Sequence, residues 1–119
     1  MPVLPWIEDT EENILGIVKA AKECGADFIY PAFGVTLRQN QREWYFEKLD
    51  RLFPDENLRE KYKKRYGDRY QCTSPHVKQL WSRFAAACND TGILFNMRHI
   101  IRAYRRPYEA RQMSLFDLF

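Results

Sequence analysis

The sequence predicts an α/β remnant followed by helices: the βαβ end of a parallel sheet, then a mainly α-helical C-terminal region. Three observations predict it. Apolar runs at Val3-Leu4 and Phe28-Ile29-Tyr30 flank one amphipathic stretch, the strand–helix–strand order that parallel pairing requires. Beyond residue 39 apolar positions recur at helical spacing, punctuated by Pro and Gly. The 119 residues, 45% hydrophobic, suffice for one small domain or for part of a larger one. Residues 1–38 are expected to form the βαβ portion, 39–106 a helical region and 107–119 an extended tail.

Val3-Leu4 ends an apolar run between Pro2 and Pro5. Asp9-x-x-Glu12 has the pattern of a capping box, and Ile14, Leu15, Ile17, Val18 and Ala21 follow on one helical face. Gly25 suits the helix end because it tolerates positive φ. Phe28-Ile29-Tyr30, continued by Pro31-Ala32-Phe33, is the continuous apolar run of a strand covered on both faces, closed by Gly34. Nothing later in the chain reads as a further parallel strand. Such a unit cannot stand alone, because two parallel strands leave open edges and too little apolar cover.

Asn40 with Glu43 repeats the capping pattern, followed by Trp44, Tyr45, Phe46, Leu49, Leu52 and Phe53, with Pro54 as terminator. A third helix runs from 55 or 56 to 66 with Leu58, Tyr62 and Tyr66 as its stripe and Gly67 beyond it. Ser74-Pro75 reads as an N-cap and first helical residue. Val77, Leu80, Trp81, Phe84, Ala85 and Cys88 then make a strong amphipathic face, ended by Gly92. Asn96 caps a fifth helix with Met97, Ile100, Ile101 and Tyr104 on one side, interrupted by Pro107.

Net charge is +3, unevenly spread. Residues 1–57 hold 6 Lys/Arg against 11 Asp/Glu; residues 58–119 hold 13 against 5. The basic half can attract nucleic acid or another polyanion. No apolar run is long enough to span a bilayer, and the N-terminus lacks a secretion signal, so a cytoplasmic protein without membrane partners is expected. Cys24, Cys72 and Cys88 are sparse and odd in number, which suggests reduced thiols; with no CxxC pair and no spacing partner for His76 or His99, no metal site is expected.

The stretch Pro2-Val3-Leu4-Pro5-Trp6-Ile7-Glu8-Asp9-Thr10-Glu11-Glu12-Asn13-Ile14 is similar to a late strand–loop–helix of radical S-adenosylmethionine (radical SAM) enzymes, and Gly25-Ala26-Asp27-Phe28-Ile29-Tyr30 resembles the next strand of their partial (β/α) barrel. Phe33-Gly34-Val35-Thr36-Leu37-Arg38 and the helix carrying Glu47 to Pro54 resemble one branch, the spore photoproduct lyase-like or DNA repair photolyase proteins. The likeness covers most of residues 1–105. It implies a C-terminal segment of an iron–sulfur lyase, not catalytic by itself. The CxxxCxxC loop that holds a 4Fe–4S cluster is absent, and the three cysteines cannot imitate its spacing. S-adenosylmethionine and the cluster therefore belong to the intact parent, and neither is expected on this segment alone. The resemblance implies that Val3, Leu4 and Pro5 line the adenine pocket and that Tyr30, Ala32 and Phe33 close it. Strand C-terminal ends are where parallel barrels carry their sites. Arg38, just beyond, could neutralise a carboxylate or phosphate.

Other candidates are independent of that likeness. Cys72, ahead of a helix start and four residues from His76, is a conceivable thiolate, though an inert thiol is the commoner outcome. Glu8, Asp9, Glu11 and Glu12 suit a helix N-terminus for structural reasons alone. Arg59, Lys61, Lys63, Lys64, Arg65 and Arg69 alternate with Tyr62, Tyr66 and Tyr70, and Arg98, Arg102 and Arg105 share a helix face. Cations that meet phosphates beside aromatics that stack on bases make a nucleic-acid surface, with Lys61, Lys64, Arg65, Arg98, Arg102 and Arg105 as its expected contacts. Gln112-Met113-Ser114-Leu115-Phe116 resembles the Gln-x-x-Leu-Phe peptide by which bacterial DNA-processing proteins dock on the sliding clamp, implying Gln112, Leu115 and Phe116 as contacts. The alternative to the enzyme segment is thus a non-catalytic helical module binding nucleic acid or a replication partner. Further expected partners are the rest of the parent barrel and a second copy, through exposed strand edges.

Overall fold

The computed structural model describes residues 1–109. Five helices, α1 (Glu11–Glu23), α2 (Gln39–Leu52), α3 (Leu58–Tyr66), α4 (Val77–Thr91) and α5 (Met97–Glu109), accompany two short strands, β1 (Gly34–Thr36) and β2 (Gln71–Thr73). The strands pair antiparallel, with Val35 opposite Cys72. The described chain is therefore a mixed, mainly helical structure with a small two-stranded sheet.

Beside that sheet, two isolated bridges bring three extended segments side by side, all parallel. Pro2 faces Ala32, with Val3 N donating to Ala32 O and Ala32 N to Met1 O, each at 2.8 Å. Phe28 faces Leu94, with Ile29 N donating to Leu94 O at 2.9 Å and Leu94 N to Asp27 O at 3.0 Å. Backbone groups alternate sides along an extended chain. The segment around 27–33 therefore lies in the middle, with 1–3 on one edge and 94 on the other. α1 connects the first segment to the middle one, and α4 leads into the third. Among the described residues no further parallel strand forms later in the chain, as expected, but Leu94 adds one isolated parallel bridge that was not expected. Ile93-Leu94-Phe95 is too short to show a strand's period, so its pairing was not visible in the residues.

One core joins these parts. Val3, Ile29, Phe33 and Ile93 from the extended segments meet Ile14 and Val18 of α1 and Leu80, Phe84 and Cys88 of α4. Both helices thus cover the same face. A second core holds Leu37, Phe46, Leu49, Leu58, Tyr62, Tyr66 and Cys72, with Trp6 and Ile7 packed against it.

The helix starts differ from the expected caps. Thr10, not Asp9, caps α1: its hydroxyl accepts from Asn13 N at 3.2 Å, and the Asn13 amide donates to Glu8 O at 2.8 Å. α2 begins at Gln39, before Asn40, with no side-chain cap at Arg38. α3 begins later than expected, after Asn57 in the left-handed region at φ 49°. α4 begins after His76, because Ser74 and Pro75 form a preceding turn in which Ser74 Oγ accepts from His76 N. Asn96 does cap α5, accepting from Arg98 N at 2.9 Å. Pro107 does not interrupt that helix but lies inside its last turns. The strands β1 and β2 were not foreseen, since three residues carry no readable alternation.

Candidate functional site

The middle segment alternates strictly. Ile29, Pro31 and Phe33 are buried, whereas Phe28, Tyr30 and Ala32 are exposed. The expectation of a strand covered on both faces is therefore corrected: α1 and α4 cover one face, whereas the other leaves Phe28, Tyr30 and Ala32 exposed, with Ala103 and Tyr104 of α5 sharing a cavity with Phe28. Phe28 is 51% and Tyr30 55% exposed there, an unusual position for large apolar groups on a parallel strand. The six residues expected at a cofactor pocket divide accordingly. Val3, Pro5 and Phe33 are buried, Leu4 is half-buried, and Tyr30 and Ala32 lie on the open face. The segment's outer edge is blunted. Pro2 has no N–H, and the Leu4 amide donates to a Glu8 carboxylate oxygen at 2.9 Å.

Beyond the first segment the chain turns sharply. Trp6 adopts φ 60°, strained for a bulky residue, and its ring packs edge-on to Tyr62 at 5.1 Å and against Tyr66 at 5.7 Å. Tyr62 hydroxyl donates to Pro5 O at 3.2 Å and pairs with Tyr45 hydroxyl at 2.8 Å. Burial pushes the Tyr62 and Tyr45 phenols up, and it pushes Tyr66 up to about 12. Tyr66 donates to Thr73 O at 2.5 Å. Tyr62 and Tyr66 therefore pack the core and cannot stack on bases; only Tyr70 of that set is exposed. The Tyr70 phenol is held below its usual value by Thr36 and Arg38 side chains, so Arg38 lies beside that hydroxyl.

The acidic cluster has structural partners. Ser74 Oγ donates to the buried Asp9 carboxylate at 2.5 Å, tying the first turn to the start of α4. Glu11 meets Arg83 at 3.3 Å. Cys72 is buried, its thiol pushed up by burial, which does not suit a nucleophile. Cys88 is buried in the other core and Cys24 is exposed at the end of α1, so the three sulfurs do not form a cluster-binding set. Among the described residues no group of three or more His, Cys, Asp or Glu is arranged to hold a metal. No described helix is long and apolar enough to cross a membrane.

Of the basic groups, Arg59 is neutralised by Glu43 and Asp50, each at 2.7 Å. Lys61, Lys64 and Arg65 on α3 and Arg98, Arg102 and Arg105 on α5 are exposed and make no ion pair among the described residues. A cleft of about 650 Å³ opens between the end of α3 and the start of α4, lined by Arg65, Arg69, His76 and Lys78 with no carboxylate on its walls. Sequence reasoning missed His76 and Lys78 as companions of Arg65, because only the β2 connection brings them together. It also missed Arg42, whose guanidinium donates to Gly67 O at 2.9 Å and Arg69 O at 2.8 Å and so fixes the loop that carries Arg69. The Gln112, Leu115 and Phe116 motif lies outside the described residues.

No protein-family model matches the chain, and neither does any curated protein or solved structure.

Proposed function

We propose that this chain is the C-terminal segment of a parallel (β/α) enzyme, a radical SAM lyase of the photolyase-like branch, whose missing strands hold the iron–sulfur cluster. One observation carries this reading: three parallel segments pack one face on α1 and α4, and the other face leaves Pro2, Phe28, Tyr30 and Ala32 exposed. Parallel sheets are found buried on both faces. An apolar open face of this kind would suit the interior of a barrel, which the missing strands would complete. In that setting Tyr30 and Ala32 would face the barrel interior, where the likeness puts S-adenosylmethionine; Val3, Pro5 and Phe33 would support them from the helix side. The chain's own cysteines do not supply the cluster. When bound, the cluster and S-adenosylmethionine would furnish radical chemistry; this segment's residues would bind and exclude water. The test is the reading frame upstream of codon 1, co-expressed with this chain. A CxxxCxxC motif there and a co-purifying brown complex are expected; a stop codon immediately upstream, or a colourless separate product, sinks the reading.

A second reading is favoured by the unpaired cations. Lys61, Lys64 and Arg65, with Arg98, Arg102 and Arg105, would contact a nucleic-acid backbone without stacking, giving weak, salt-dependent affinity. Filter binding at low and moderate salt tests it, and no retention at low salt removes it. The tail would add a sliding-clamp contact through Gln112, Leu115 and Phe116. Equal binding of a tail peptide and its Phe116→Ala form to a clamp would dispose of that.

A further inference from the structure

We propose that the cleft between α3 and α4 is a binding site for a phosphate group. Four side chains that can carry positive charge converge on it from two elements: Arg65 and Arg69 from the end of α3 and the loop after it, His76 and Lys78 from the start of α4. No Asp or Glu lines it, and neither arginine nor Lys78 is paired with a carboxylate among the described residues. Uncompensated like charges repel one another, so an anion between them gains from every one. The walls are held in place rather than loose. Arg42 bonds the carbonyls of Gly67 and Arg69, which fixes the backbone under Arg69. Ser74 bonds Asp9 through its hydroxyl and Phe33 through its amide, the latter at 2.9 Å, which fixes the backbone under His76. Tyr66, bonded to Thr73 O, closes the floor. Two guanidiniums at one cleft can offer the planar, bidentate contact that phosphate oxygens accept. The site is separate from the open sheet face and does not depend on the barrel reading. It shares Arg65 with the nucleic-acid reading, from which it differs by requiring Arg69 and Lys78 rather than Lys61 and Lys64.

The group could come as a free or terminal phosphate, or as an internal phosphodiester of a nucleic acid, and the experiment separates them. The 119-residue chain is titrated with inorganic phosphate at constant ionic strength, and its backbone amide resonances are followed. Saturable shifts confined to the amides around 69–79, with a dissociation constant on the order of 1–10 mM, are expected. The Arg69→Gln/Lys78→Gln variant weakens binding about tenfold, whereas Lys61→Gln/Lys64→Gln leaves it unchanged. Far-ultraviolet circular dichroism confirms that both remain folded. A 5′-phosphorylated oligonucleotide binding more tightly than its unphosphorylated form identifies a terminal phosphate; equal and stronger binding of both identifies the diester. Linear, non-saturating shifts spread over the surface overturn the proposal, as does equal loss in the two double variants.

Discussion

Tyr62 carries a hydroxyl into an apolar core because two oxygens meet it there, the Pro5 carbonyl and the Tyr45 hydroxyl. Its ring also touches Trp6, Phe46 and Tyr66. Ring and hydroxyl can be separated by mutation. Tyr62→Phe keeps the packing but leaves Pro5 O without its donor, and should cost about 1–3 kcal/mol in urea unfolding. Tyr62→Ala removes the ring as well and should cost about 3–5 kcal/mol, or prevent folding. A smaller loss for alanine than for phenylalanine would show that the ring does not hold this core. The same burial sets an alkaline limit. Tyr66, at about 12 when folded, stays protonated where the unfolded chain, near the ordinary phenol value of about 10, has ionised. Protons held by the folded state and lost by the unfolded one make stability fall as pH rises. Tyr45 and Tyr62 are shifted in the same direction, so the tyrosine contribution to stability should be constant below about pH 10 and fall above it, after a smaller decline that the raised Cys72 and Cys88 thiols begin near pH 9. Phenolate absorbance should then rise together with loss of helix signal; tyrosines of this core ionising well before unfolding would contradict the assignment.

At the scale of elements, the β1–β2 pair depends on Gly34. A Cβ built there would lie 2.5 Å from Cys72 O and 2.9 Å from Thr73 Cα, and both are backbone atoms that cannot swing aside. Gly34→Ala should therefore separate the two strands locally, with loss of amide protection at 71–73 in hydrogen exchange, while Gly16→Ala, where a Cβ meets nothing, should not. Unchanged protection in Gly34→Ala would mean that the strands do not approach so closely. The elements also show what a sequence reveals. Ile14 and Val18 of α1 and Leu80, Phe84 and Cys88 of α4 were legible because helical spacing repeats over several turns. The stripe Leu58, Tyr62, Tyr66 was legible for the same reason. What stayed hidden was non-local and brief: the three-residue strands, the single bridge at Leu94, and the Asp9–Ser74 bond across 65 residues. The α1 cap fell to Thr10 while Asp9 met a tertiary partner, Ser74, that local spacing does not reveal. Half of the candidate site was visible as charge on α3; the other half needed β2 to return the chain to His76 and Lys78.

The molecule as a whole is two-sided. α1 and α4 bury Ile29 and Phe33, while Phe28, Tyr30 and Ala32 are exposed. That polarity makes a sharp comparison possible within one short segment. Ile29→Ser places a hydroxyl in the core and removes a packed side chain, so it should cost about 2–4 kcal/mol. Phe28→Ser and Tyr30→Ser act on groups already half in water, so each should change unfolding free energy by about 0.5 kcal/mol or less. The same two exposed groups should govern association. The outer edge offers little for strand pairing, since Pro2 lacks an N–H and Leu4 N–H is taken by Glu8. An apolar face, by contrast, gains by being covered. Light scattering of the isolated chain should therefore show concentration-dependent assembly that the Phe28→Ser/Tyr30→Ser double variant suppresses at unchanged stability. If that double variant instead unfolds as readily as Ile29→Ser, the face is covered within the chain itself, and the case for a missing half of the sheet is lost.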